Sequence, residues 1–164
     1  MKMRRILYTP AWRHGPMTYW VHLPVGGLPW AEARAFDPPA PRPVPGRGFP
    51  FFVVEFDGAV LCFASLAELR VCLDTLGRRV LPSNLRLTRA RGGGYGPSNH
   101  WLNRLPLRAM TWPYRQRVVK YLEACLADFE AAEEGPAEQV RGRDRKHAGR
   151  VQRGGRLSRA STHR

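Results

Sequence analysis

Apolar residues fall into three patterns along this chain. The densest is a pair of β-rich runs, Phe51-Phe-Val-Val-Glu-Phe56 and Ala59-Val-Leu-Cys-Phe63, separated by Asp57-Gly58. Asp-Gly between two such runs predicts a two-residue type I′ hairpin. That turn sets the register, so Phe56 faces Ala59, Val54 faces Leu61 and Phe52 faces Phe63. These six residues make one apolar face. The other face carries Phe51, Val53, Glu55, Val60, Cys62 and Ala64, which is apolar apart from Glu55 and is expected to be partly covered.

The second pattern has helical spacing. Ser65-Leu-Ala-Glu68 reads as a capping box. Leu66, Leu69, Cys72, Leu73 and Leu76 then give a buried stripe, and Gly77 is expected to supply a left-handed stop. A short helix is expected over 99–105, capped by Ser98 and ended by Pro106. Thr111-Trp-Pro113 opens a long last helix, with proline in its first turn. Its apolar stripe is Val118, Tyr121, Leu122, Cys125, Leu126 and Phe129.

The third pattern is short alternation. In Ser83-Asn-Leu-Arg-Leu-Thr-Arg89, Leu85 and Leu87 share a face opposite Arg86, which predicts a strand returning to the sheet. Met17 to Leu23 is aromatic and β-branched enough for another strand, with Tyr19, Val21 and Leu23 on one side, and Arg4 to Tyr8 is a further candidate. The fold expected is therefore α+β: a small β-hairpin–helix–strand core followed by a short and a long helix.

Three segments follow from this reading. Residues 1–49 form an N-terminal arm with one candidate strand, and its proline-rich stretch from Asp37 to Pro50 reads as a polyproline II linker. Residues 50–134 form the core domain, small enough to draw on residues 17–23 as an added strand. Residues 135–164 carry nine Arg or Lys against Glu138 and Asp144, which predicts a disordered Arg-rich tail. Its Arg141-Gly-Arg143 and Arg153-Gly-Gly-Arg156 elements suit nucleic-acid backbones.

Charge changes the picture most. The chain has 164 residues, 27 basic side chains against 13 acids, and a net charge of +14. Arginine outnumbers lysine 24 to 3, which GC-rich codon usage would explain; that usage would not explain the excess of base over acid. Such a balance points to an anionic partner: nucleic acid, DNA or RNA alike, or an acidic protein as the alternative. No run approaches the ~18 apolar residues of a membrane helix, so no membrane partner is expected. After Met1-Lys-Met-Arg-Arg5, Pro10, Arg13, His14 and Pro16 interrupt any apolar signal segment. Cys62, Cys72 and Cys125 are odd in number and far apart, which suits reduced thiols and a cytoplasmic setting. No His or Cys spacing signals a metal, and no loop signals a cofactor.

The charge is concentrated. From Thr75 to Leu122 there are ten basic side chains and no carboxylate. Arg86, Arg89, Arg91, Arg104, Arg108, Arg115, Arg117 and Lys120 are the expected phosphate contacts, with Tyr95, Asn99, His100 and Trp101 as stacking or hydrogen-bonding partners. Tyr95 lies in the loop Gly92-Gly-Gly-Tyr-Gly-Pro97, whose glycines let backbone amides approach an anion; it lacks the Gly-Lys-Ser or Gly-Lys-Thr ending of a nucleotide loop. The last helix has Arg115, Arg117 and Lys120 early and Glu123, Asp128, Glu130, Glu133 and Glu134 late. That is the wrong way round for its own dipole, which marks the basic end as a candidate phosphate site. An enzyme reading would need a pocket at Asn99-His100 with a carboxylate such as Glu55 or Glu68 beside it; no catalytic residue is assigned.

Overall fold

The computed structural model describes residues 1–92 and 100–144, with side chains described as far as residue 133. The compact unit Met1–Glu130 contains the sheet, the core and the candidate site residues described below. The structure mixes helices with antiparallel sheets, an α+β fold. Its main sheet has three strands in the order β1 (Lys2–Thr9), β4 (Phe49–Phe56), β5 (Ala59–Phe63). The hairpin of β4 and β5 has the register expected from Asp57-Gly58, with Phe56 opposite Ala59, Val54 opposite Leu61 and Phe52 opposite Phe63. Asp57 and Gly58 have φ of 50° and 78°, the two positive values a type I′ turn requires.

The third strand is β1, paired with β4 over its whole length from Lys2–Phe56 to Thr9–Phe49. Residues 1–49 are therefore not a separate arm. Nor is Asp37–Pro50 a free linker. Phe36 and Asp37 form a short strand, β3, against β2 (Leu23–Pro24), Val44 bridges Gly48, and β4 begins at Phe49. Proline fixes local φ but does not stop a segment from packing when its neighbours are apolar.

Two expected strands are helices. Thr18–Val21 is one turn, α1, which puts Met17 and Val21 into the core at helical i,i+4 spacing and leaves Leu23 exposed. Asn84–Ala90 is α3, not a strand: the Ser83 hydroxyl caps it by accepting the Arg86 N–H at 3.2 Å, and Thr88 is the residue it buries. Two leucines two positions apart suggest a period of 2 but are too few to fix it; α3 leaves Leu85 exposed, and the Ser83 cap decides for helix. The expected 99–105 helix is a single 3-10 turn over Trp101–Arg104, followed by another over Leu107–Met110. The Ser98 cap lies outside the described residues, and the turn stops before Pro106 with Leu105 extended.

Helix α2 (Leu66–Gly77) starts as expected, with Ser65 Oγ accepting the Glu68 N–H. The reciprocal bond is shifted by one residue: Glu68 Oε2 accepts the Ala64 N–H at 2.8 Å. Gly77 does not supply a left-handed stop; the chain leaves through Arg78 in an extended conformation. Helix α4 (Trp112–Asp144) runs ten residues past the expected boundary of the core domain at 134, and the rest of the basic tail lies outside the described residues.

Helices α2 and α4 cover one face of the sheet. Phe52, Val54, Phe56 and Phe63 meet Leu69, Cys72 and Leu76 of α2 and Val118, Leu122, Cys125 and Phe129 of α4. The segment between β1 and β4 crosses part of the other face, where Trp12, Ala33 and Phe36 pack on Ala64 and Phe51. Burying an aromatic side chain is worth roughly 1.5–3 kcal/mol. Residues 10–40 therefore contribute to the fold through Trp12, Trp30 and Phe36.

Candidate nucleic-acid interface

The basic side chains fall into two groups. Arg86 and Arg89 on α3, Arg104 on the first 3-10 turn, and Arg117 and Lys120 on α4 are exposed. Arg108 is exposed too. It donates to the Asp57 carbonyl at the hairpin turn, and its guanidinium lies 5.4 Å from the Tyr114 ring. Arg117 sits over the same ring at 5.5 Å, so the structure brings these two cations to one aromatic side chain. Each such contact stabilises by roughly 0.5–1 kcal/mol at an exposed site.

Arg115 is the correction. It is 3% exposed, and its guanidinium donates to the carbonyls of Met110, Leu76, Arg78 and Arg79 at 2.6–3.2 Å. Three of those carbonyls belong to the carboxyl end of α2 and the chain just past it. Leu76 lies in the last turn of α2, whose carbonyls form the negative pole of that helix, Arg78 is its C-cap and Arg79 lies just past it. The charge that is wrong for the dipole of α4 is right for the dipole of α2. Arg115 is thus the stop that Gly77 does not provide, and it is not available to a phosphate. Burial pushes its pKa down from the ordinary arginine value.

Arg91, His100 and Trp101 are brought together around a cavity of about 210 Å³. Its other walls are Trp20, Val21 and Leu23, Val71 and Thr75 of α2, and Leu87 and Ala90 of α3. Trp101 and His100 are 4% and 3% exposed, so neither is the free surface ring expected from the sequence. His100 lies 4.5 Å from the Trp20 ring and 5.6 Å from the Trp101 ring, centroid to centroid. Its Nδ1 accepts the Leu102 N–H at 3.2 Å and caps the 3-10 turn, which leaves the proton of the neutral ring on Nε2. Burial pushes the His100 pKa down to about 4, so the ring is neutral at physiological pH. Arg91 is half-buried, stacked on Tyr19 at 4.3 Å, and its Nε donates to the Tyr19 carbonyl at 2.9 Å. Tyr95 and Asn99 lie outside the described residues. No described carboxylate lines this cavity.

Of the two carboxylates considered for His100, Glu55 is on β4 and Glu68 belongs to a different site. Glu68, His22 and Ser65 form a buried polar knot, with His22 and Glu68 fully enclosed. His22 Nδ1 donates to the Pro38 carbonyl at 2.8 Å, since a carbonyl can only accept. Its Nε2 lies 3.0 Å from Ser65 Oγ and 3.5 Å from Glu68 Oε1. A serine, a histidine and a carboxylate invite a catalytic reading. The histidine's Nδ1 is held by a backbone carbonyl, however, and the carboxylate approaches the same nitrogen as the serine. A relay needs them on opposite nitrogens. The knot joins α1 and the chain at Pro38 to the cap of α2. Its only sequence signal is the capping box; His22 is 43 residues from Ser65.

Trp20 and Leu87 are pocket walls that the sequence pattern does not reveal, because alternation over 17–23 and 83–89 suggests strands where the chain forms helices. Among the described residues no group of three His, Cys, Asp or Glu side chains could hold a metal, and no helix is long and apolar enough to cross a membrane. Comparison with protein-family models, with curated proteins and with solved structures finds no match to this chain.

Proposed function

We propose that this chain binds nucleic acid as an accessory protein, through an arginine-rich surface centred on α3 and the start of α4. One observation carries the reading. Arg86, Arg89, Arg104, Arg117 and Lys120 are exposed and make no ion pair among the described residues. The acids that do pair are used elsewhere: Asp74 on Arg78, Asp128 on Arg4 and Glu130 on Arg70. A surface of unpaired like charges repels itself and gains free energy from a polyanion that releases its counterions. Arg91 and Arg108 extend it, each anchored by a carbonyl and an aromatic ring. The three free cysteines suit a reducing compartment such as the cytoplasm.

Affinity for labelled DNA and RNA, measured across a range of salt concentrations, tests this. Binding is expected at low salt, with a log–log slope of ~0.7–0.9 per phosphate contacted. Replacing Arg117 and Lys120 together by Gln is expected to flatten that slope by roughly 1.5. Failure to bind either polymer at low salt would end this reading and leave an acidic protein face as the partner.

A further inference from the structure

We propose that the cavity between α1, α2 and α3 is a receptor for one unpaired nucleobase, so that the protein prefers single strands to duplexes. This inference rests on the nucleic-acid reading above.

The walls suit a flat heteroaromatic ring. Trp20 supplies aromatic surface, Val71 and Leu87 supply aliphatic surface, and the nearly enclosed Trp101 and His100 rings back the cavity. At about 210 Å³ the cavity is smaller than the ~300–1,000 Å³ of sites that hold drug-sized ligands. It has room for a ring system and not for a whole cofactor.

Charge selects nucleic acid among planar ligands. Arg91 lines the cavity with Nε already held by Tyr19, and its two terminal nitrogens donate to no carboxylate among the described residues. Arg86 and Arg89 are on α3, the helix that also contributes Leu87 and Ala90 to the wall. Leu87, Ala90 and Arg91 share the face of α3 at the cavity, so a strand with a base inserted would meet Arg91 first, with Arg86 and Arg89 on the adjoining sides of the helix. A base inside a duplex is stacked on both faces and cannot enter a pocket without being unpaired, whereas a base in a single strand can. No described acid lines the cavity to repel the strand.

The test separates bases from phosphates. Fluorescence anisotropy would compare a short oligothymidine with an abasic strand of equal length and charge, on the intact protein. The base-bearing strand is expected to bind roughly tenfold tighter, the effect of stacking a single base. Val71→Trp and Ala90→Trp are two independent plugs at exposed wall positions, so each should fill the cavity without removing core packing. Each is expected to lower oligothymidine affinity to that of the abasic strand and to leave abasic and duplex binding unchanged. Equal affinity for the two strands would overturn the proposal while leaving the phosphate reading intact, as would a plug that melts normally and still binds oligothymidine fully. If both plugs unfold, the abasic comparison decides alone. Thymidine monophosphate binding as tightly as the strand would reassign the cavity to free nucleotides and overturn the single-strand preference. Binding of neither strand at low salt would instead remove the nucleic-acid reading itself.

Discussion

Arg115 and Arg117 sit two residues apart on α4, and their surroundings share almost nothing. Arg115 is buried and fixed by four carbonyls; Arg117 is exposed over the Tyr114 ring. A helix turns by about 200° over two residues, so one side chain meets α2 and the other meets solvent. The same contrast holds between regions. The knot of His22, Ser65 and Glu68 is held by one another and by the Pro38 carbonyl and the Ala64 N–H, while Arg86 and Arg89 of α3 pair with no acid among the described residues. A run of basic residues in a sequence reports charge. Whether the charge is available depends on which carbonyls the fold brings to it.

The largest effect is expected at Arg115. Replacing it by Gln leaves carbonyls at the end of α2 without donors and should cost on the order of 3–5 kcal/mol by urea denaturation. Arg115→Lys should fail as well, because a compact ammonium cannot reproduce a guanidinium fork. Arg117→Gln should stay within ~0.5 kcal/mol of the parent. Equal losses at the two positions would break the contrast drawn between them.

His22→Leu comes next. It removes the partner of the Pro38 carbonyl and of Ser65 Oγ and strands the Glu68 carboxyl, at roughly 2–3 kcal/mol. A variant as stable as the parent would mean that the knot is not coupled to folding.

A comparable effect, dependent on pH, follows from His100. Its pKa falls from about 6.5 unfolded to about 4 folded, so between those values the unfolded chain binds the extra proton. Its contribution is fully present above about pH 6.5 and is lost as pH falls toward 4, on the order of 3 kcal/mol. His100→Asn retains a cap for the Leu102 N–H but cannot titrate. The stability gap between parent and variant should therefore shrink on acidification. A gap that stays constant from pH 7 to pH 4.5 would show that the imidazole is solvated. The smallest change in stability is expected for Arg86→Gln with Arg89→Gln, within ~0.5 kcal/mol, while nucleic-acid affinity falls.

Turn and cap signals within a few residues were sound at the hairpin and at the starts of α2 and α4, but not at Gly77, where the expected left-handed stop is absent. Asp57-Gly58 fixed the hairpin and its register, because two adjacent positive φ values suit that turn. Ser65 and Glu68 marked the start of α2, and the proline after Trp112 marked the start of α4. Periodicity misled where the window was short: Met17–Leu23 and Ser83–Arg89 each carry too few apolar residues to separate a period of 2 from 3.6. Only the tertiary structure decided three things. It made β1, 40 residues away in sequence, the third strand, since pairing partners are chosen by long-range register. It joined His22 to the cap of α2, and it turned Arg115 from a candidate phosphate contact into the carboxyl-terminal cap of another helix. Each of these is a contact between distant segments, and its free energy comes from desolvation and partner geometry that no local pattern encodes.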